Sequence, residues 1–232
     1  MQPELRGYAI CTTGRTGSNW LCALLSSTGL LGHPREYFNC AARRQFDDPD
    51  YPAEPAGQIR RILSMGATPN GIYGLKVFPP QLEAVTPTCP WTELLPNLRF
   101  IWLQRQDLLG QAISAARASQ TGQFRSSVPA SGVTRYDGDL IRHLLATAIR
   151  EQARWAFFFA RTGIAPLPLH YEEVVSDPQG SVDRIASLIG WREPAPIRPE
   201  PIEFRVQRDA VTEDWRARFL RENADRDTVD RL

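Results

Sequence analysis

Residues 7–27, GYAICTTGRTGSNWLCALLSS, decide the fold. GYAICTT (7–13) is an apolar run of the length of one buried strand, and it ends in small, turn-forming residues. From Ser18 to Ser27 the pattern SNWLCALLSS brings apolar side chains back at helical spacing, with Thr28-Gly29 as a glycine stop. A strand, a glycine-bearing loop and a helix in that order open an α/β layer fold.

The rest of the chain continues the alternation. Residues 47–57, DDPDYPAEPAG, read as a surface loop, and a short helix is expected from Ile59 to Met65. GIYGLKVF (71–78) is strand-like and is stopped by Pro79-Pro80. LRFIWLQ (98–104) is nearly continuous in apolar and aromatic residues, as a central parallel strand buried on both faces should be, and Asp107 can cap a helix reaching about Ala118. Residues 121–137 form a Gly-, Ser- and Arg-containing loop, after which a long amphipathic helix runs from about Asp139 to Arg161. IAPLPLHYEE offers one more short strand, SVDRIASLIGW is a helix capped by Ser181, and VTEDWRARFLREN is a final helix introduced by a weak capping box at Thr212. The expected class is a P-loop-like three-layer α/β fold, a mainly parallel central sheet flanked by helices.

Composition narrows the function classes. A length of 232 residues suits one domain spanning 1–232, and 42% hydrophobic with 23% charged residues is ordinary for a folded chain. The formal net charge of +1 advertises neither a nucleic-acid surface nor an anionic-membrane surface. No apolar stretch is long enough to span a bilayer and the N-terminus lacks a signal-peptide layout, so a cytoplasmic protein is expected. Cys11, Cys22, Cys40 and Cys89 show no CxxC or Cys/His clustering, so reduced structural cysteines are expected and no metal site. All but one of the 27 basic residues are arginines, and the single lysine is Lys76.

Ligands of open α/β sheets sit beyond the carboxyl ends of the strands, which directs attention to the loop after the first strand. It reads Thr12-Thr13-Gly14-Arg15-Thr16-Gly17-Ser18-Asn19-Trp20. Two glycines permit a tight turn whose N–H groups face a helix N-terminus, Thr16, Ser18 and Asn19 add neutral donors, and Arg15 adds a full charge, so the loop suits a phosphate-like anion. It is not a Walker A loop, because Ser18 follows Gly17 with no lysine between them. A second anion site is expected where LRFIWLQ ends: Arg105 leaves a buried strand and converges with Ser114 on the next helix, with Arg117 one turn beyond. The alternative there is an Arg105–Asp107 pair at the helix start. Two anion sites on neighbouring strand ends suit a nucleotide with separate 5′ and 3′ charges.

These residues resemble the PAPS-dependent sulfotransferases, in particular the trehalose 2-sulfotransferase family. The turn is similar to the 5′-phosphosulfate loop TxPRSGTxxL or TPRSGS, with Arg15, Gly17, Ser18 and Leu21 in place and departures at Gly14 for Pro and Thr16 for Ser. HPREYFN (33–39), WAFFFARTG (155–163), LHYEEVVSDP (169–178) and DAVTEDWRARF (209–219) extend the likeness over about residues 7–224. The resemblance implies 3′-phosphoadenosine 5′-phosphosulfate (PAPS) as co-substrate, no metal requirement, a sugar or other small hydroxylated acceptor, and a homodimer. It implies that Arg15, Thr16, Gly17, Ser18 and Asn19 hold the 5′ end and that Arg105 and Ser114 hold the 3′-phosphate. Gln207 and Arg208, before the last helix, are expected to close over the nucleotide.

Glu36 is the expected base, from its place in the loop after the first helix and from its EYF context, which resembles the family's catalytic Glu. His33 is the competing base, with an ordinary pKa nearer neutrality. A merely structural Glu36 would pair with Arg35 or another loop Arg. Lys76 either contacts the sulfonate or acceptor or is a surface charge. Trp102, Phe100 and the WAFFF aromatics are expected in the core. Two alternatives to a sulfotransferase stay open at this point: a P-loop nucleotide kinase, which the missing Walker lysine opposes, and a non-catalytic nucleotide-binding module on the same scaffold.

Overall fold

The computed structural model describes residues 3–39, 48–124, 131–198 and 209–229. The opening unit folds as its sequence predicts: β1 (Arg6–Cys11), the glycine-bearing turn, then α1 (Ser18–Ser27). There follow α2 (Pro55–Met65), β2 (Ile72–Val77), α3 (Pro79–Val85), the single turn α4 (Trp91–Leu94), β3 (Leu98–Gln104) and α5 (Leu108–Thr121). The chain continues through α6 (Gly138–Thr162), β4 (Leu167–His170), α7 (Tyr171–Ser176), α8 (Pro178–Leu188) and α9 (Ala210–Glu222).

The strands form a four-stranded sheet in the order β2-β1-β3-β4, parallel throughout. From β1 the chain crosses first to one side, to β2, and then to the other, to β3. The carboxyl end of β1 is therefore the point where strand order reverses, and the helices that follow β1 and β3 diverge there to leave a crevice.

The period of two along each strand builds the layers. On β1, Tyr8 and Ile10 face α1 and α8, in a cluster with Leu21, Leu25, Ile101, Leu103, Val182 and Ile185. Ala9 and Cys11 face the opposite side, with Tyr73, Leu75, Phe100, Trp155 and Phe159. A third cluster joins α5, α6 and α9 through Ile113, Ile141, Trp215 and Phe219. Phe100, Trp102, Trp155, Phe158 and Phe159 pack against one another edge-to-face or tilted in the second layer, as expected of core aromatics, but Phe157 of the same WAFFF stretch is 68% exposed, because its position on α6 turns it to solvent.

Some boundaries differ from the sequence reading. Pro79-Pro80 does end β2, but it also opens α3, because the first helical positions have no intrahelical acceptor for an N–H and lose nothing when it is missing. α8 begins at Pro178 rather than Ser181: the Asp177 carboxylate accepts from Gly180 N at 2.9 Å and the proline sets the first helical φ. α9 is capped by Asp209, which accepts from Thr212 N at 2.9 Å, in place of a box at Thr212. Among the described residues no helix is long and apolar enough to cross a membrane.

Candidate active site

The turn after β1 is held by its carbonyls. Trp155 Nε1 on α6 donates to Thr12 O at 2.8 Å, and Thr16 Oγ1 to Thr13 O at 3.0 Å. Gln111 Nε2 on α5 donates to Gly14 O at 2.6 Å, and Arg105 Nη1 beyond β3 to Arg15 O at 3.2 Å. With the oxygens of Thr12, Thr13, Gly14 and Arg15 tied back by side chains, the turn can turn its amide N–H groups the other way, as an anion nest requires. Arg15 has φ 62° and Gly17 φ 79°, both left-handed. A non-glycine residue in that region carries roughly 1–3 kcal/mol of strain and persists only where its surroundings over-determine it, as the tied carbonyls do for Arg15. At Gly17 a side chain is excluded twice, since a Cβ there would lie 2.2 Å from the Tyr171 ring.

Most residues expected to hold a nucleotide converge here. Arg15 Nε donates to Ser114 Oγ at 3.0 Å and Nη1 to Phe124 O at 2.7 Å. Arg105 lies over the Tyr171 ring at 5.0 Å and has Asp107 Oδ2 at 3.7 Å. Ser114 thus meets Arg15 directly, and the two expected anion sites form one contiguous cationic cluster. The Arg15 guanidinium is held below its usual pKa by burial and then by the like charge of Arg105. Two cations kept this close repel one another, and an anion between them would offset that cost.

Asp107, 3.7 Å from Arg105, also caps α5 through Gly110 N at 2.9 Å. Burial pushes its carboxyl up, but the Arg216 guanidinium at 2.6 Å, the Gly110 N–H and Arg105 outweigh it and hold the group below the usual value. Thr16 turns inward: its hydroxyl lies 2.6 Å from Thr12 Oγ1, so it braces the turn. Ser18 is buried in the first turn of α1. Arg117 is drawn away from the cluster, donating to both carboxylate oxygens of Asp209 at 2.7 Å. Gln207 and Arg208 lie outside the described residues.

The second half of the crevice lies beyond β2. Residues 32–37 run along the outer edge of that strand, where His33 N donates to Gly66 O at 2.8 Å and Lys76 N to Arg35 O at 2.9 Å. The approach is close enough to need Gly32, whose φ is 78° and where a Cβ would lie 2.8 Å from Gly74 N. This path brings Glu36 to Lys76, with Nζ 2.8 Å from Glu36 Oε1 and 2.6 Å from Asn19 Oδ1. Lys76 is therefore not the surface charge that one reading allowed: its side chain is only 4% exposed. Glu36 pairs with this lysine, and its Oε2 accepts from Asn39 Nδ2 and Gln81 Nε2, each at 3.2 Å. Cys22 on α1 senses both charges; burial pushes its thiol up to about 11, Lys76 pulling it down and Glu36 up. His33, half-buried, is held below its usual pKa by burial and then by Arg35, so it is neutral at pH 7.

The sequence reading did not single out Gln111, Trp155 as a donor, or Gln81. The carbonyls they serve, or the carboxylate, are tens of residues away, and no local pattern announces such a partner.

The family profile of the Stf0 sulphotransferases matches residues 7–222, a span that contains both the anion turn and Glu36. The chain belongs to the Stf0 sulphotransferase family. As a member it is an enzyme that transfers a sulfuryl group to a small acceptor, which answers the nucleotide-kinase alternative. Two relatives are similar over nearly their whole length. The trehalose 2-sulfotransferase of Mycobacterium tuberculosis (strain Erdman) is 25% identical over 96% of this chain and 97% of that protein. The trehalose 2-sulfotransferase of Mycolicibacterium smegmatis is 24% identical with the same coverage. Among solved structures, the sulfotransferase domain from the curacin biosynthetic pathway shares the fold, with a TM-score of 0.52 at 14% identity over 90% of this chain and 82% of that one.

Proposed function

We propose that this Stf0 family member transfers the sulfuryl group of PAPS to a hydroxyl of a sugar or related small metabolite. The observation that carries the reading is the tied-back turn, with the carbonyls of Thr12 to Arg15 held by side chains and Arg15 and Arg105 close enough for the charge of one to lower the pKa of the other. A phosphosulfate fits that donor set, since it has spread negative charge and needs no Walker lysine.

In this reading Arg15, the backbone of Thr16 and Gly17, and Ser18 and Asn19 hold the 5′ end, while Arg105 and Ser114 fix the 3′-phosphate. Gln207 and Arg208 complete the nucleotide site from beyond the described residues. Glu36 faces the acceptor, with His33 on the same segment and Lys76 behind it. As the acceptor oxygen forms its bond to sulfur, the bond from sulfur to the bridging oxygen breaks, and that oxygen keeps the electron pair on the departing nucleotide. The acceptor proton passes to the Glu36 carboxylate, and Arg15 stabilises the charge that develops on the leaving phosphate. The trehalose specificity named for both relatives makes trehalose the first acceptor to try. A cytoplasmic setting fits the free, buried thiols of Cys11, Cys22 and Cys89.

The experiment is a screen of hydroxylated sugars with sulfur-labelled PAPS, with no divalent metal added. Label appearing in a sugar supports the reading. Binding of 3′-phosphoadenosine 5′-phosphate (PAP) with no transfer to any acceptor would favour the non-catalytic module, and no binding of PAP would remove the co-substrate.

A further inference from the structure

The base proposed above is held from both of its oxygens by groups on different elements. On one side stands Lys76, projecting from β2 toward α1 with a salt bridge of 2.8 Å to Glu36 Oε1. On the other stands Gln81 in the first turn of α3, with Nε2 3.2 Å from Glu36 Oε2.

Both contacts fix an orientation as well as a distance. An ammonium can only donate, so the Asn19 amide that meets Lys76 Nζ at 2.6 Å must present its oxygen there, which leaves its Nδ2 hydrogens for another partner. Asn19 follows Ser18 in the first turn of α1, at the mouth of the anion turn, where donors are wanted and an acceptor would repel the ligand. The Gln81 amide is set in the same manner. Phe78 N donates to its Oε1 at 3.1 Å, so its Nε2 is the end that reaches Glu36. Pro79 and Pro80 stiffen the backbone between those two points. A lysine buried this deeply is tolerated because its charge meets a carboxylate and an amide oxygen.

We propose that Lys76 and Gln81 are positioning residues for sulfuryl transfer. Lys76 holds Glu36 and the Asn19 amide together, so that the base and the anion turn are aligned by one buried charge, and Gln81 fixes the other oxygen of the carboxylate. The inference rests on Glu36 being the base. Neither residue touches the reacting atoms in this account; each acts through Glu36.

The test combines single variants with a double-mutant cycle, read as kcat and acceptor KM with labelled PAPS and the best acceptor of the sugar screen. PAP affinity is measured alongside by calorimetry. A displacement of the base by about 1 Å costs on the order of 10²-fold, so Lys76→Met is expected to lower kcat by about that factor and Gln81→Leu by about 10-fold. Acceptor KM and, for Gln81→Leu, PAP affinity should stay within about twofold. In a Glu36→Gln background neither substitution should cost more than about another twofold, because the group they position is gone. Unchanged kcat in both variants, a loss confined to KM, or losses that multiply in the Glu36→Gln background would overturn the proposal. Full turnover by Glu36→Gln alone would instead remove the base reading, and this proposal with it. Should Lys76→Met fail to fold, half-buried Gln81 carries the same test through Gln81→Leu.

Discussion

The proposed donor side, around residues 12–19, and the proposed acceptor side, around Glu36, hold charge in opposite ways. Around the turn of residues 12–19, burial and then the like charge of Arg105 lower the Arg15 pKa, and Asp107 lies 3.7 Å from Arg105. At Glu36 a carboxylate and an ammonium meet at 2.8 Å, and the amides of Asn39 and Gln81 donate to the other carboxylate oxygen. In the first arrangement like charges lie close together, and an anion between them would offset their repulsion. In the second, opposite charges are paired, and what the pairing supplies is orientation. A sulfotransferase needs both: an attractive seat for a charged donor, and a base whose aim does not depend on that donor's charge. Asn19 belongs to both halves, and it is where they touch.

Substitutions can break this contrast one side at a time. On PAP affinity the largest effect is expected from Arg105→Ala, which removes one of the two clustered charges and the donor to Arg15 O. Charge-assisted hydrogen bonds contribute about 1.5–3 kcal/mol each, so PAP affinity by calorimetry should fall by about 10- to 100-fold. Affinity unchanged by this substitution would mean that the nucleotide sits elsewhere. A smaller effect is expected from Gln111→Leu, which frees Gly14 O without touching a charge. Losing the two neutral bonds to Gly14 O and Thr13 Oγ1 costs roughly 1–3 kcal/mol in stability, hence a several-fold weaker PAP titration and a modest fall in melting temperature. If kcat at saturating PAPS fell as well, the two sides would be less separable than described here.

The smallest effect lies outside the crevice. The Arg117 guanidinium, with help from Thr212 and against burial, holds Asp209 down to about 2, below its ordinary 3.8. A depressed carboxylate contributes stability that is complete above its unfolded value and is lost as the pH falls from about 4 through about 2. The Asp209 side chain is 46% exposed, so solvent screening limits the contribution to below about 1 kcal/mol. Urea unfolding followed from pH 5 to 2 should therefore show a slightly shallower acid dependence in Arg117→Met than in the parent. An identical slope would remove the pair from the account.

The two sides also differ in how far the sequence reveals them. The donor side is mostly contiguous: a strand, a turn with two glycines and a helix fit into residues 7–27, and LRFIWLQ with Arg105 reads as a strand delivering a charge. That is why the turn and the parallel sheet were legible. What ties the turn down was not, because Gln111 and Trp155 reach it across 97 and 143 residues, and a glutamine or tryptophan in an amphipathic helix carries no mark of its partner. The acceptor side was legible only residue by residue. Glu36 and Lys76 could each be picked out, but their pairing depends on an irregular segment lying along the β2 edge, which period and propensity do not encode. Pro79-Pro80 read as a stop hid α3, and with it Gln81. Ser181 was passed over as a cap because Asp177 followed by Pro178 is the better start.

The separation of the two sides is tested most directly on Glu36→Gln, with PAP binding by calorimetry and transfer from labelled PAPS measured on the same preparation. Binding should stay within about threefold of the parent while turnover drops by about 10²- to 10⁴-fold, the span of a lost general base. Undiminished turnover, or loss of PAP binding together with turnover, would contradict the division of the crevice into a donor seat and an independently aimed base.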